Sequence, residues 1–288
     1  MSGNLRIYNK PNLDKPRLVL GFSGWMDGGE VSTAPIRWLI SQTQAQDFAE
    51  IEPSGFYLYS FPGVIELSGL VRPSVTIKDG LIQSLDFPSN LFFADEGNNV
   101  VYFLGKEPQL HWESFANCIF SLCEELNVEM IYFIGSVSSL VPHTREPRLL
   151  CTASNSALRD QFGHYGVKFA DYEGPAGIAT YLTAACSQLE LDMVTLVATI
   201  PAYIQGNNPK CIESMVRRVT GMLNLNIPLE GLRALTDRFE RKVSDLVEQQ
   251  PDLASNILKL EEDYDNDIFD NELGDLKQWL QDQGLNID

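Results

Sequence analysis

Residues 17–29 read RLVLGFSGWMDGG, an apolar run from Arg17 to Phe22 that enters a glycine-rich turn. Beyond the turn, Ile36, Leu39 and Ile40 recur at helical spacing within residues 31–42. A β-rich run, a tight turn and an amphipathic helix together form the opening unit of a parallel α/β sheet. Such a turn sits where a phosphate loop would sit, because a helix N-terminus offers free N–H donors and a positive dipole end. The details depart from that motif. There is no G-K-[ST], the glycines at 21, 24, 28 and 29 do not form G-x-G-x-x-G, and the stretch Gly21-Phe-Ser23-Gly24 misses the nucleophile elbow by one position. Asp27 would also repel a phosphate unless a metal intervened. Two readings stand: a tight turn built on glycine's tolerance of positive φ, and a ligand loop.

The alternation continues along the chain. Residues 56–61, 100–104, 129–134, 167–169 and 193–200 are strand candidates, and residues 111–126, 158–162, 177–189 and 210–223 have helical patterns. Residues 74–78 and 81–85 flank Asp79-Gly80, a strong hairpin signal. A long polar loop is expected over residues 135–148. The pattern predicts an α/β layer fold with a mostly parallel sheet and one antiparallel hairpin.

Composition limits what such a fold can do. The 288 residues include 44% hydrophobic and 10% aromatic side chains, enough for a sizeable core. Against 39 Asp and Glu stand 21 Lys and Arg, for a formal net charge of −18. That balance argues against nucleic acid as a partner and against an anionic membrane surface. No apolar run approaches the length of a spanning helix, and residues 1–7 lack the apolar core of a signal peptide. A soluble, cytoplasmic protein is expected. The five cysteines (118, 123, 151, 186, 211) have irregular spacing without a C-x-x-C pair. They predict neither a disulfide framework nor a structural zinc site. The three histidines are not at metal-ligand spacing, so no metal is expected, and no cofactor is indicated.

The chain changes character near Pro228. Residues 230–288 hold 16 acidic and 6 basic side chains, so this segment carries −10 of the −18. Leu232, Leu235, Phe239, Val243 and Leu246 make a heptad-like seam. Pro251 suits the first turn of a second helix, residues 261–272 read as a charged linker, and Leu273, Leu276, Trp279 and Leu280 mark a last helix. The expected division is an α/β domain over residues 1–228 and an acidic helical extension over 229–288, packed on that domain or on a neighbouring subunit.

Loops at the carboxyl ends of parallel strands converge on one crevice. Asp27, Glu107 and the His143–Arg145 pair each follow a separate strand candidate and are expected to line it, with Tyr203 joining after residue 200. His143 and Arg145 could bind an anion bidentately or knot a long loop by satisfying its backbone. Arg145 requires an anion, either a ligand or an acidic loop residue, with Glu107 or Glu173 the expected internal partner. If that pair is internal, Arg145→Ala should cost about 3 kcal/mol by stranding a desolvated carboxylate.

Five segments in one order carry a resemblance. They are GWMDGGE (24–30), GKEPQLHW (105–112), VPHTR (141–145), YEGPAG (172–177), and IPAY (200–203) with NP (208–209). LEEDYD (260–265) adds a sixth in the tail. Together they resemble the PAC2 family, named after proteasome assembly chaperone 2, over nearly the whole chain. The resemblance implies a three-layer α/β sandwich similar to nucleoside phosphorylases and hydrolases, assembled as a homo-oligomer. Trp25 and Tyr172, in the matched segments, join Glu173, an acidic candidate beside Asp171, in the candidate pocket. Archaeal and eukaryotic members act in proteasome assembly. Bacterial members have been labelled as ATP-grasp or carboxylate–amine ligases, for which no motif appears in this sequence. The chain ends Leu285-Asn-Ile-Asp288 rather than hydrophobic-Tyr-any, so docking into a proteasome pocket is not expected. Leu67-Ser-Gly69 stands where bacterial relatives often carry an Asp-Tyr pair. The resemblance implies an oligomeric, chaperone-like scaffold with a possible protein client. The alternative is a protein or enzyme that binds a nucleoside, nucleotide or carboxylate at the carboxyl ends of the strands.

Overall fold

The apolar runs become strands buried on both faces. The structure, a computed structural model, describes residues 3–60 and 71–282; positions 67–69 and 285–288, singled out above, lie outside the described residues. After the short β1 (Leu5–Ile7), β2 (Arg17–Ser23) enters the middle of a nine-stranded sheet. Its parallel neighbours are β7 (Val100–Lys106) and β8 (Met130–Ser139), and β11 (Met193–Pro201) lies parallel beyond β8. All nine residues of β11 are buried, as expected of a strand covered on both faces. Antiparallel pairs flank this parallel centre. β1, β3 (Gln46–Ile51) and β6 (Leu91–Asp95) extend the β7 side. On the other side β9 (Leu149–Ala153) runs antiparallel to β11 and carries β10 (Lys168–Phe169).

Side-chain alternation divides the core into two layers. Leu18, Leu20 and Phe22 of β2 join Val101 and Phe103 of β7 beneath α2 (Trp112–Leu126) and α4 (Ile178–Gln188). Val19, Tyr102 and Tyr132 face the opposite way. They pack against α1 (Thr33–Thr43), α3 (Ser156–Phe162) and α5 (Pro209–Leu223). The expected α/β sandwich of three layers is therefore present. Gly21 permits it locally: a Cβ there would meet the Ser32 carbonyl oxygen and Ile36 Cγ1, each at 2.6 Å, so only glycine lets α1 lie this close to the sheet.

Several boundaries differ from the sequence reading. Residues 56–60 are turn and coil; the strand in that region is β3, ten residues earlier. β8 runs on to Ser139, into the expected loop. The tail consists of α6 (Glu230–Glu248) and one long α7 (Pro251–Asp282) that passes straight through the expected charged linker. Its acidic residues alternate with an inward stripe of Leu253, Ile257, Leu260 and Tyr264, which keeps helical period. In α6 the inward stripe is Leu232, Thr236, Phe239, Val243 and Val247, while Leu235 and Leu246 of the expected seam are half exposed. Among the described residues no helix is long and apolar enough to cross a membrane.

The hairpin signal at Asp79-Gly80 is correct. β4 (Ser74–Lys78) and β5 (Leu81–Asp86) form a two-stranded ribbon separate from the main sheet.

Candidate functional site

Asp27 closes the turn after β2. Its Oδ1 accepts the backbone N–H groups of Ser32 and Thr33 at 2.9 Å each, and its Oδ2 accepts the Thr33 hydroxyl at 2.8 Å. Those N–H groups are the free donors at the start of α1, and a carboxylate is their natural partner. Burial raises the Asp27 carboxyl above its usual range, against the lowering effect of these donors. Ser32 locks the same turn to the sheet. Its hydroxyl accepts from Phe22 N–H at 2.9 Å and donates to the Ile134 carbonyl at 2.6 Å.

Glu107, one residue past β7, spans two elements. Oε2 accepts Trp25 N–H at 2.9 Å, and Oε1 accepts Ile178 N–H at 3.1 Å at the start of α4. Gly24 makes room, with φ at 141° and with 2.9 Å between its would-be Cβ and the Glu107 side chain. The resulting cleft, about 490 Å³, is lined by Trp25, Leu58, Lys106, Glu107, Gln109 and Trp112. Trp25 leaves 73% of its surface exposed. Two indoles beside a lysine and a carboxylate can hold a flat or apolar group with a charged end.

His143 and Arg145 stand elsewhere, around a slot of about 10 Å³ shared with Lys210 and Phe239. His143 is buried. Its Nδ1 lies 2.9 Å from the Tyr203 hydroxyl, which also accepts His143 N–H at 2.7 Å, and Nε2 lies 3.3 Å from Ser244 Oγ on α6. Burial, with Lys210 nearby, lowers its pKa, so the ring is neutral at neutral pH. A neutral buried imidazole adds stability that is complete above the unfolded value and is lost as pH falls from about 6.5.

Arg145 meets α7. Its Nε and Nη2 donate to Oδ1 and Oδ2 of Asp265, both at 2.8 Å, and Glu261 lies 3.5 Å away. Thr144 bonds Glu261 as well. Arg148 stacks 4.1 Å over the Tyr264 ring and pairs with Asp267 at 2.6 Å, while the Tyr264 hydroxyl donates to the Glu146 carbonyl at 2.6 Å. The VPHTR segment is therefore the seat of the helical tail.

These positions correct two expectations. Trp25 and Glu107 share a cleft, but His143, Arg145 and Tyr203 surround the tail seat. Asp27 turns back into its own helix cap, and the exposed Tyr172 and Glu173 line neither place. The partner of Arg145 is Asp265 with Glu261, not Glu107 or Glu173. Loops that share a sheet edge were spread along it by strand order, since β7 and β11 are separated by β2 and β8.

Residues 21–247 match the profile of the PAC2 family, well over half of the chain. The chain belongs to the PAC2 family. Among solved structures it is similar to a proteasome-assembly chaperone homologue of Mycobacterium tuberculosis, with a TM-score of 0.73, 28% identity, and coverage of 84% of this chain and 99% of that one. An M. tuberculosis protein of unknown function gives 0.79 at 22% identity over 96% and 93% of the two chains. Pyrococcus furiosus PbaB, an archaeal proteasome activator, gives 0.63 at 16% identity over 84% and 97%. These last two share the fold alone. No curated protein sequence matches.

In this PAC2 protein, sequence reasoning missed the partners more than the motif residues. Lys210, Ser244, Tyr264 and Asp265 complete the tail seat, Ser32 completes the Asp27 turn, and Trp112 faces Trp25's cleft. The signal for Asp265 was available: Glu261, Tyr264 and Asp265 stand three and four apart, on one helix face. Among the described residues no group of three or more His, Cys, Asp or Glu side chains could hold a metal ion.

Arg145 retains 34% side-chain exposure and Asp265 52%. Water therefore replaces much of what the pair loses on separation, and the large penalty expected for a desolvated carboxylate does not apply. Arg145→Ala should leave the global unfolding midpoint nearly unchanged while loosening α7. Amide exchange over residues 251–267 should quicken in the variant, and high salt should bring the wild type towards the same rate. Arg145 holds the Asp265 carboxyl below its usual range, so this contact is complete above about pH 4 and fails as pH falls further.

Proposed function

We propose that this PAC2-family protein is a homo-oligomeric, chaperone-like assembly scaffold, with residues 1–228 as its body and 229–288 as a latched helical extension. One observation carries the reading. Asp27, Glu107, His143 and Arg145 of the family motifs turn into helix caps and tail contacts, whereas large apolar groups beside them point outward. Trp25 and Leu140, at the carboxyl ends of β2 and β8, are 73% and 79% exposed. A binding pocket for a small molecule gathers polar groups toward an apolar cavity; a surface for protein contact exposes aromatic and aliphatic anchors. The similarity at 28% identity to a proteasome-assembly chaperone homologue supports the same reading.

A second reading rests on the Trp25–Trp112 cleft, which has the size and the Lys106 charge to hold a nucleoside, nucleotide or carboxylate. Two measurements on the purified chain decide between them. Sedimentation should return a multiple of 32.2 kDa, and nucleosides, phosphate and Mg-ATP should leave the melting temperature unmoved. A concentration-dependent rise with one of those ligands would favour the second reading, because a ligand of the native state stabilises it.

A further inference from the structure

The walls of the cleft between Trp25 and Trp112 are set before any ligand enters. The Trp112 ring is held twice: its Nε1–H donates to the Pro108 carbonyl at 2.7 Å, and it meets Tyr181 edge to face with centroids 6.0 Å apart. Trp25 is fixed through its backbone by Glu107, and a Cβ built on Gly177 would lie 3.9 Å from its Cδ1. Leu58 extends the apolar lining. Walls ordered in advance cost a ligand less on binding. The polar groups of the cleft are mostly of one kind. Gln109 Oε1 accepts Leu58 N–H at 2.7 Å. A backbone amide can only donate, so that bond fixes which end of the side chain is oxygen and leaves Nε2 as a donor. Lys106 Nζ is a charged donor. Among the described residues it pairs with no carboxylate and lies 6.0 Å from the centre of the Tyr57 ring. Glu107 is the one acid among the described lining residues. Both of its oxygens already accept backbone N–H groups, one of them at the start of α4, where the helix dipole offsets its charge. An incoming group therefore meets one unanswered positive charge and a neutral donor.

We propose that the cleft binds a small monocarboxylate with a flat apolar body, its ring against Trp25 and Trp112 and its carboxylate on Lys106 Nζ and Gln109 Nε2. The inference rests on the second reading above and narrows its ligand to one class. Charge makes the choice. One lysine answers one carboxylate, whereas a phosphate monoester brings about 1.5–2 negative charges to a chain of net charge −18. A nucleoside brings none and leaves Lys106 unanswered. Size agrees, since about 490 Å³ falls within the range of about 300–1,000 Å³ typical of small-molecule sites.

The test uses the full chain and three probes of similar shape: 2-naphthylacetate, its neutral amide and 2-naphthylmethylammonium. Calorimetric titration should show the acid binding at least about tenfold tighter than the amide, the scale of one hydrogen bond to a charged group, and the ammonium not at all. Lys106→Met should bring acid and amide to equal affinity. That variant should fold, because the backbone there is held independently of the side chain: Lys106 N–H donates to Asn90 Oδ1 at 3.0 Å, and its carbonyl accepts the Tyr57 hydroxyl at 2.7 Å. Trp25→Ala, at an exposed side chain, should weaken acid and amide by the same factor and leave their ratio unchanged. An amide or ammonium that binds as tightly as the acid, or an acid preference that survives Lys106→Met, would overturn the proposal. Binding of a nucleoside or Mg-ATP without binding of the naphthyl acid would overturn it and leave the second reading intact. A wild type that binds none of these would overturn both.

Discussion

Replacing Phe103 with Ala should destabilise the protein by about 3–5 kcal/mol, the range for emptying an aromatic site in a packed core. Phe103 is fully buried in β7, with ring centroids 4.6 Å from Phe92, 5.0 Å from Phe22 and 6.3 Å from Phe115. These rings join three strands to α2, so the cavity would open where four elements meet and none can collapse into it alone. The would-be Cβ of Gly105 lies 2.5 Å from Phe103 Cζ, which shows how closely the backbone has settled on the ring. Urea unfolding should show a lower midpoint with an unchanged slope. A loss under about 1 kcal/mol would mean that the ring is not the keystone described above.

Asp27→Ala should cost about 2 kcal/mol, from losing a helix cap whose acceptor is charged. Three donors lose their partner at once: the Ser32 and Thr33 amides and the Thr33 hydroxyl. Asp27→Asn retains one carbonyl oxygen for the two amides and should recover most of the loss. The comparison bears on function. Were Asp27 held for chemistry rather than for structure, removing a carboxylate whose pKa burial has raised would relieve strain, and the Ala variant would melt higher than the wild type. Differential scanning calorimetry of the three proteins at one pH distinguishes the outcomes.

The buried strands were legible because a strand covered on both faces must be apolar throughout, as in residues 100–104 and 193–200. The ribbon was legible because Asp79-Gly80 dictates its turn. Of the flanking strands only β10, within residues 167–169, was read; β1, β3, β6 and β9 were not. β3, with its polar Gln46, Asp47 and Glu50, is covered less completely and does not stand out from coil. The motif residues were visible one at a time, but their partners lay far along the chain. Nothing local to His143 points to Ser244, and nothing local to Arg145 points to Asp265. A high acid content in residues 261–272 suggested a solvated linker, yet over residues 261–267 only one face of the helix is solvated. The other face carries Tyr264 and the carboxylates that meet the loop.

The separation of Arg145 from Asp265 is 120 residues. At about 5–20 residues per second, translation delivers Asp265 roughly 6–24 s after Arg145. The sheet needs nothing beyond Pro201 to be complete, so a nascent chain can finish its central layer while Arg145 and Arg148 still face water. During that interval the loop is open to any acidic segment nearby, including one from a neighbouring nascent chain on the same message. The α7 helix thus competes for a seat that has already been built, and the loop takes its final form only after Asp265 has emerged.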